Sequence, residues 1–328
     1  MSYSQEPLLE LLRAGKVPGE SGIPKHIETV ISNVFLFSER VYKVYKSNND
    51  FFNKSFHDIS VKEERFAFSS ADFEWNQQLA KEVYLHLQGV SVDAKSIRFI
   101  DGWKDAEELL LVTKRLPAGT TVFDYLLRND LNETDYYEIG KQFAQREKNF
   151  AWHGDLPSES LLENMLDRHK DVVEWIESVE EHISPTEKET YANQLKDLIT
   201  RVYANDSTRI SICIDMHSLN AFYVKQVLYP FDAYSPKDAW RFGPSLLNIY
   251  RLATDVFALV GEKEFDAVMN GYHEYLKKEM PSQETNRLFV IYASLIMVPY
   301  LYMIGTTDTD KHKAAVKYHD FLKRYIAS

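Results

Sequence analysis

The spacing of apolar residues changes about a third of the way along the chain. Before that point they fall in short runs with strand spacing. Val34-Phe35-Leu36-Phe37 and Val41-Tyr42-Lys43-Val44-Tyr45 flank Ser38-Glu39-Arg40 and predict a hairpin. Ile97-Arg98-Phe99-Ile100 and Glu108-Leu109-Leu110-Leu111-Val112 predict two more strands, separated by an Asp101-Gly102 turn. Between these pairs, Phe66 to Leu79 reads as a helix: Phe66, Phe68, Phe73 and Leu79 have partial helical spacing and no breaker intervenes.

Past Pro117-Ala118-Gly119 the period becomes that of long helices. Tyr136, Ile139, Phe143 and Phe150 share a face of a helix that Asn132 is placed to cap. Val172, Trp175, Ile176 and Val179 mark another. Ser184-Pro185-Thr186-Glu187 combines a cap residue, a proline at the first helical position and a glutamate at the third, which predicts a helix start. Leu195, Leu198, Ile199 and Val202 supply that helix's apolar stripe, and helices resume from about Leu246. Leu288 to Ile304 is apolar and close to the minimum length of a membrane span. Pro299 interrupts it, and its tyrosines are scattered instead of gathered at the ends as an interfacial belt would be. It is read as a core helix, with no membrane partner.

One hairpin interrupts the helical part and carries the chemistry. Ile210-Ser211-Ile212-Cys213-Ile214 ends on Asp215, Asn220 follows five residues later, and an apolar hairpin then ends on Phe231-Asp232. Phosphoryl transfer needs such a set: one carboxylate to orient the attacking hydroxyl, and an amide oxygen with a second carboxylate to hold Mg²⁺ on the phosphates. Taken alone, Asp-x-x-x-x-Asn is equally a pair of turn residues. The strongly apolar flanks argue for a buried hairpin, and buried acids need partners.

Such a site also needs a cation for the phosphates and an acid to hold it. Alternation places Val41 and Lys43 on one strand face, so Val41 would cover the adenine while Lys43 reaches the phosphates. Lys46 competes but faces the other way. Asp72 and Glu74 are the candidate acids on the Phe66–Leu79 helix. Ile31-Ser32-Asn33 stands where a phosphate-covering loop turns, yet it has no glycine. Trp152-His153-Gly154-Asp155-Leu156 imitates a catalytic loop, but it follows a helix and has Ser160 where the amide belongs. It is assigned to a turn between helices.

With 328 residues the chain has room for two domains, each with its own core, and 45% apolar with 27% charged residues is an ordinary globular composition. A net charge of −11 argues against nucleic acid as a partner. The single cysteine, Cys213, leaves no internal disulfide, and the first residues lack a signal-peptide layout, so the chain is expected to be cytoplasmic. The expected fold class is α+β, bilobal and protein-kinase-like. Residues 1–116 would form a small β-rich N-lobe and 117–328 a mostly helical C-lobe with its catalytic hairpin at 210–232. Nucleotide would bind in the cleft between them.

These residues resemble the aminoglycoside phosphotransferase-like kinases over most of the chain, closest to a bacterial branch without a glycine-rich loop. Ser32-Asn33-Val34-Phe35-Leu36-Phe37 with Arg40-Val41-Tyr42-Lys43-Val44 is similar to that branch's first hairpin and phosphate lysine. Asp72-Phe73-Glu74-Trp75 resembles its acidic helix, Lys114-Arg115-Leu116-Pro117 its hinge, and Asp215-Met216-His217-Ser218-Leu219-Asn220 with Phe231-Asp232 its catalytic loop and metal-binding acid. The resemblance implies Asp215 as catalytic base and Asn220 and Asp232 as Mg²⁺ ligands. It implies Lys43, Asp72, Val41, Ser32, Lys114 and Leu116 as the ATP-binding set. Cys213-Ile214 stands where the family has His-Gly, and Asp72 where it has glutamate.

The expected function is an ATP:Mg²⁺-dependent kinase acting on a small-molecule hydroxyl. The departures at Cys213-Ile214 and Asp72 motivate an alternative, a pseudokinase-like nucleotide-binding module with little catalysis. A kinase that modifies protein is a third reading.

Overall fold

Strands and helices segregate along the chain. The structure, a computed structural model, describes residues 4–93, 95–206, 208–235 and 237–328. It divides into two compact units, Met1–Pro117 and Ala118–Ser328.

The first unit runs α1 (Glu6–Arg13), β1 (Lys25–Glu28), β2 (Ser32–Leu36), β3 (Arg40–Tyr45), α2 (Asp50–Ser55), α3 (Lys62–Leu79), β4 (Tyr84–Val92), β5 (Ile97–Ile100) and β6 (Glu108–Lys114). Its six strands form one antiparallel sheet in the order β1-β2-β3-β6-β4-β5. β3 therefore lies in the interior, with Lys43 opposite Val34 on one side and Leu111 on the other. A core of Leu8, Leu9 and Leu12 from α1 packs on Phe35, Phe37, Tyr42, Val44, Leu110 and Val112. The other sheet face receives α3.

Three sequence expectations need correction here. The α3 helix begins at Lys62, a turn before Phe66, and its buried face is Arg65, Phe68, Ser69, Asp72, Trp75, Asn76 and Leu79. Phe66 and Phe73 lie off that face and are only half-buried. The predicted strands at Ile97 and Glu108 are not neighbours, because β4 stands between them. β4 escapes a periodicity reading because its register shifts between Tyr84 and His86 and its early residues face outward.

The second unit is helical around short strands. In order it contains α4 (Val122–Arg128), α5 (Glu133–Lys148), α6 (Leu161–Glu177), α7 (Pro185–Tyr203), β7 (Ser211–Ile212), β8 (Ala221–Val224), β9 (Val227–Pro230), β10 (Phe242–Gly243), α8 (Leu246–Leu259), α9 (Glu262–Leu276), α10 (Gln283–Gly305) and α11 (Thr309–Ala327). Asn132 with Asp135 and Ser184 with Glu187 form reciprocal capping boxes that start α5 and α7. Phe150 lies beyond the end of α5. α10 is long and apolar enough to cross a membrane, but 83% of its most apolar stretch is buried against the rest of the protein. It continues through Pro299 instead of stopping there. The Trp175 indole N–H donates at 3.0 Å to the Ile296 carbonyl, three residues before that proline.

Candidate active site

The cation and acid expected in the first unit meet. Lys43 Nζ lies 3.8 Å from Asp72 Oδ2, and their side chains are 8% and 2% exposed. The Asp72 carboxylate also accepts from Tyr45 Oη at 2.7 Å and from Asn76 Nδ2 at 2.8 Å. Strand alternation explains the set: Lys43 and Tyr45 share the face that α3 covers, and the Lys43 ammonium sits 4.6 Å from the centre of the Tyr45 ring. A shorter aspartate thus reaches Lys43 without a glutamate's extra methylene. Because β3 is paired on both sides, Lys43 does not serve as an edge-strand lysine.

The other expected nucleotide residues are spread around the sheet. Val41 is buried on the Lys43 face, Lys114 is exposed at the end of β6, and Leu116 is half-buried just beyond it. Ser32 opens β2 and is buried. Its N–H donates to Thr29 Oγ1 at 2.9 Å, and the Thr29 N–H donates to the Ser32 carbonyl at 2.9 Å. These bonds close the glycine-free turn between β1 and β2. Lys46 faces away from Lys43 and pairs with Glu28 at 2.8 Å.

In the second unit, β8 and β9 form a hairpin whose two-residue turn, Lys225-Gln226, has positive φ at both positions. This hairpin brings its two ends together. Asn220, in a turn of 3-10 helix before β8, donates from Nδ2 to the Asp215 carbonyl at 3.2 Å and to the Asp232 carbonyl at 2.9 Å. The Phe231 N–H donates to the Asn220 carbonyl at 2.8 Å, and the Asp215 N–H to the Ala233 carbonyl at 3.0 Å. Asp232 takes a left-handed conformation with φ of 53°, which aspartate tolerates better than most residues. Burial pushes the Tyr300 hydroxyl up to about 12, with Asp232 and Asp215 adding to the shift, so both charges lie near this one ring. Burial also lowers the His217 imidazole to about 4 and keeps it neutral beside them.

α8 holds this loop with three polar residues that the sequence reading passed over. Asn248 Oδ1 accepts from the Ile214 N–H at 2.7 Å. Asp255 Oδ2 accepts from the Ser218 N–H at 2.8 Å and from its hydroxyl at 2.6 Å. Arg251 lies 3.1 Å from Asp215 Oδ1. Positions 248, 251 and 255 share one helical face. That polar stripe within an otherwise apolar helix was the available signal. Behind it, Asn248 Nδ2 donates to Glu147, which also accepts from Tyr272. Asn248 and Asp255 therefore support the loop where an imidazole is missing. Cys213 is a buried thiol pushed up to about 11, which keeps it neutral. Trp152 to Leu156 lies in the loop between α5 and α6.

No cluster of three or more His, Cys, Asp or Glu suited to a metal occurs among the described residues, so an all-protein metal cage is not in view there. The Asn220 set fits Mg²⁺, which is usually bound by one or two carboxylates and completes its shell with water and phosphate oxygens. With Nδ2 engaged by two carbonyls, the Asn220 amide presents its oxygen as the end left for a cation.

No family model matches the sequence, and no curated protein matches it. Solved structures do match in fold. A thermostable mutant of aminoglycoside phosphotransferase APH(4)-Ia superposes with a TM-score of 0.53 at 13% identity, covering 98% of this chain and 99% of that one. Choline kinase LicA from Streptococcus pneumoniae gives 0.52 at 13% identity, covering 99% of each chain. A choline/ethanolamine kinase family protein from Mesorhizobium loti gives 0.50 at 13% identity, covering 98% of each. The chain has the α+β, protein-kinase-like fold of these small-molecule phosphotransferases, with an antiparallel-sheet first unit and a helical second unit.

Proposed function

We propose that the protein is an ATP:Mg²⁺-dependent phosphotransferase that phosphorylates a hydroxyl of a small molecule, acting in the cytoplasm. The observation that carries this reading is the Asn220 carboxamide joined to both Asp215 and Asp232 at the ends of one hairpin. The Lys43–Asp72 pair supports it. Lys43 would hold phosphate oxygens, and Asp72, anchored by Tyr45 and Asn76, would keep the ammonium in place. Val41, Leu116, Lys114 and Ser32 would surround the rest of the nucleotide. Asn220 and Asp232 would hold Mg²⁺, which when bound neutralises charge on the phosphates.

Asp215 would orient the acceptor hydroxyl and take its proton. Arg251 holds one oxygen of this carboxylate, which leaves the other to face the acceptor. Asn248 and Asp255 fix the loop on either side, so Asp215 does not depend on the missing imidazole.

Thermal shift with ATP, with and without Mg²⁺, followed by ATP turnover of the wild type and Asp215→Asn, tests the reading. Mg²⁺-dependent stabilisation and turnover lost in Asp215→Asn are expected. Stabilisation without turnover across a broad panel of hydroxyl compounds would instead indicate the nucleotide-binding module without catalysis.

A further inference from the structure

Beside Asp215 lies a cavity of about 20 Å³ lined by Arg168, Arg251, Ser235, Trp240 and Tyr292, together with Asp215 itself. Arg168 is the unusual member. It is only 5% exposed, and its guanidinium donates to Asn164 Oδ1 at 3.2 Å, Tyr292 Oη at 3.1 Å, and the Trp240 and Phe242 carbonyls at 2.8 and 2.7 Å. All of these acceptors are neutral, and among the described residues no carboxylate lies within ion-pair distance of it. The nearby Asp171 carboxylate is engaged by Lys237 and by the Trp240 indole. A buried cation without a counter-ion is costly, so an anion brought to it is strongly favoured.

The charges that line the cavity do not balance; the Asp255 carboxylate near Arg251 is engaged by Ser218 and Tyr318 and is not part of the lining. Two guanidiniums face one carboxylate, and the Cys213 thiol on the same wall is neutral. The space admits about one water-sized group. That suits a single terminal oxygen and is far too small for a trialkylammonium head.

We infer that the acceptor is a small hydroxy acid whose carboxylate places an oxygen in this cavity, paired with Arg168 and Arg251, while its hydroxyl is presented to Asp215. The inference rests on the phosphotransfer reading and specifies its substrate class. In the reaction the acceptor hydroxyl oxygen forms the new bond to the γ-phosphorus, and ADP leaves with the electron pair of the broken bond. The hydroxyl proton passes to Asp215 and then to solvent. Arg251 has two roles here, because it also steadies the carboxylate that receives the proton. A cationic acceptor would meet two like charges at the same place.

Calorimetric titration of the full chain with glycolate, with choline and separately with ATP·Mg²⁺ tests this. Glycolate is expected to bind and choline not to. Arg251→Gln should weaken glycolate at least about tenfold, whereas Arg251→Lys, which keeps the charge, should lose less. ATP·Mg²⁺ affinity should stay within about twofold in both variants, which shows that they are folded and that the loss is local to the acceptor side. Choline binding without glycolate binding, or an unchanged glycolate affinity in Arg251→Gln, overturns the inference while leaving ATP·Mg²⁺ binding intact. Absence of ATP·Mg²⁺ binding in the wild type would instead overturn the phosphotransfer reading beneath it.

Discussion

Asp255 accepts two hydrogen bonds from Ser218, one from its N–H at 2.8 Å and one from its hydroxyl at 2.6 Å. Both residues are fully buried, and Tyr318 Oη supplies a third donor at 3.0 Å. A carboxylate in the second half of α8 thereby fixes the loop between Asp215 and Asn220. Burial outweighs these donors and raises the Asp255 carboxyl from 3.8 to about 6.

This shift predicts a specific pH dependence. The folded carboxyl holds a proton more readily than the unfolded one, so its stability contribution is greatest in acid and falls as pH rises through the window from about 4 to about 6. The shift amounts to about 3 kcal/mol at full effect. Asp255→Asn removes the titration. Urea denaturation of both proteins across this window should show the wild type losing about 3 kcal/mol relative to the variant as pH rises. Parallel curves would show that Asp255 is not strained in its charged form.

The crossing of α5 and α9 gives a second prediction. A Cβ on Gly140 would sit 2.0 Å from the Val268 carbonyl oxygen, and one on Gly271 2.0 Å from that of Tyr137. The two helices approach backbone to backbone, so no flexible side chain can yield. Alanine in a helix interior gains about 1 kcal/mol over glycine, but overpacking costs about 1–3 kcal/mol, and with a rigid neighbour the cost wins. Gly140→Ala and Gly271→Ala should each lower the melting temperature by several degrees. A rise in either would mean that the helices separate without penalty.

Much of this architecture could be read from the sequence, and the rest was hidden for identifiable reasons. Local chemistry announced the starts of α5 and α7, because Asn132-Asp135 and Ser184-Glu187 are short-range capping pairs. Alternation placed Val41 and Lys43 on one face, and the hairpin's length returned Asp232 to Asn220. The buried face of α3 was obscured because it is polar. Arg65, Ser69, Asp72 and Asn76 lie on it, so apolar periodicity pointed to Phe66 and Phe73 instead. Arg65 is there because Glu108 on β6 meets it at 2.8 Å, with both side chains 1% exposed. Gln5, the residue just before α1, donates to the same carboxylate at 2.7 Å. A partner 43 residues away in sequence leaves no local trace. Asn248, Arg251 and Asp255 also act on a loop that precedes them by more than 30 residues, so their polar stripe on apolar α8 marks them as unusual without naming what they hold.

The anchoring of Asp72 can be taken apart by mutation. Tyr45→Phe removes one neutral donor to a buried carboxylate and should cost about 1–2 kcal/mol of stability. Lys43→Met removes the ammonium beside the buried Asp72 carboxylate and should cost about 3 kcal/mol, while abolishing stabilisation by ATP. Combining Lys43→Met with Asp72→Asn should cost less than the sum of the single changes, because the second removes the charge that the first exposes. Denaturation of the four proteins closes the cycle, and simple additivity would mean that the pair is not coupled.

Asn220→Asp offers the sharpest test of the hairpin. The replacement is isosteric and retains an oxygen for a cation, but it loses the N–H group that bonds the Asp215 and Asp232 carbonyls. A carboxylate oxygen would then face two carbonyl oxygens, and the two ends of the hairpin would lose their shared donor. The structural cost should be about 2–3 kcal/mol, from two lost hydrogen bonds and the repulsion that replaces them. A site whose only need were another oxygen ligand would bind Mg²⁺ as well or better with the added negative charge. A site that depends on the amide to hold Asp215 and Asp232 in place would need more Mg²⁺ for half-maximal ATP turnover, with a lower plateau at saturation. The second outcome is expected, because the amide nitrogen bonds the carbonyls of both residues. Turnover measured against Mg²⁺ concentration distinguishes the two, and an undiminished plateau would show that Asn220 serves as a ligand alone.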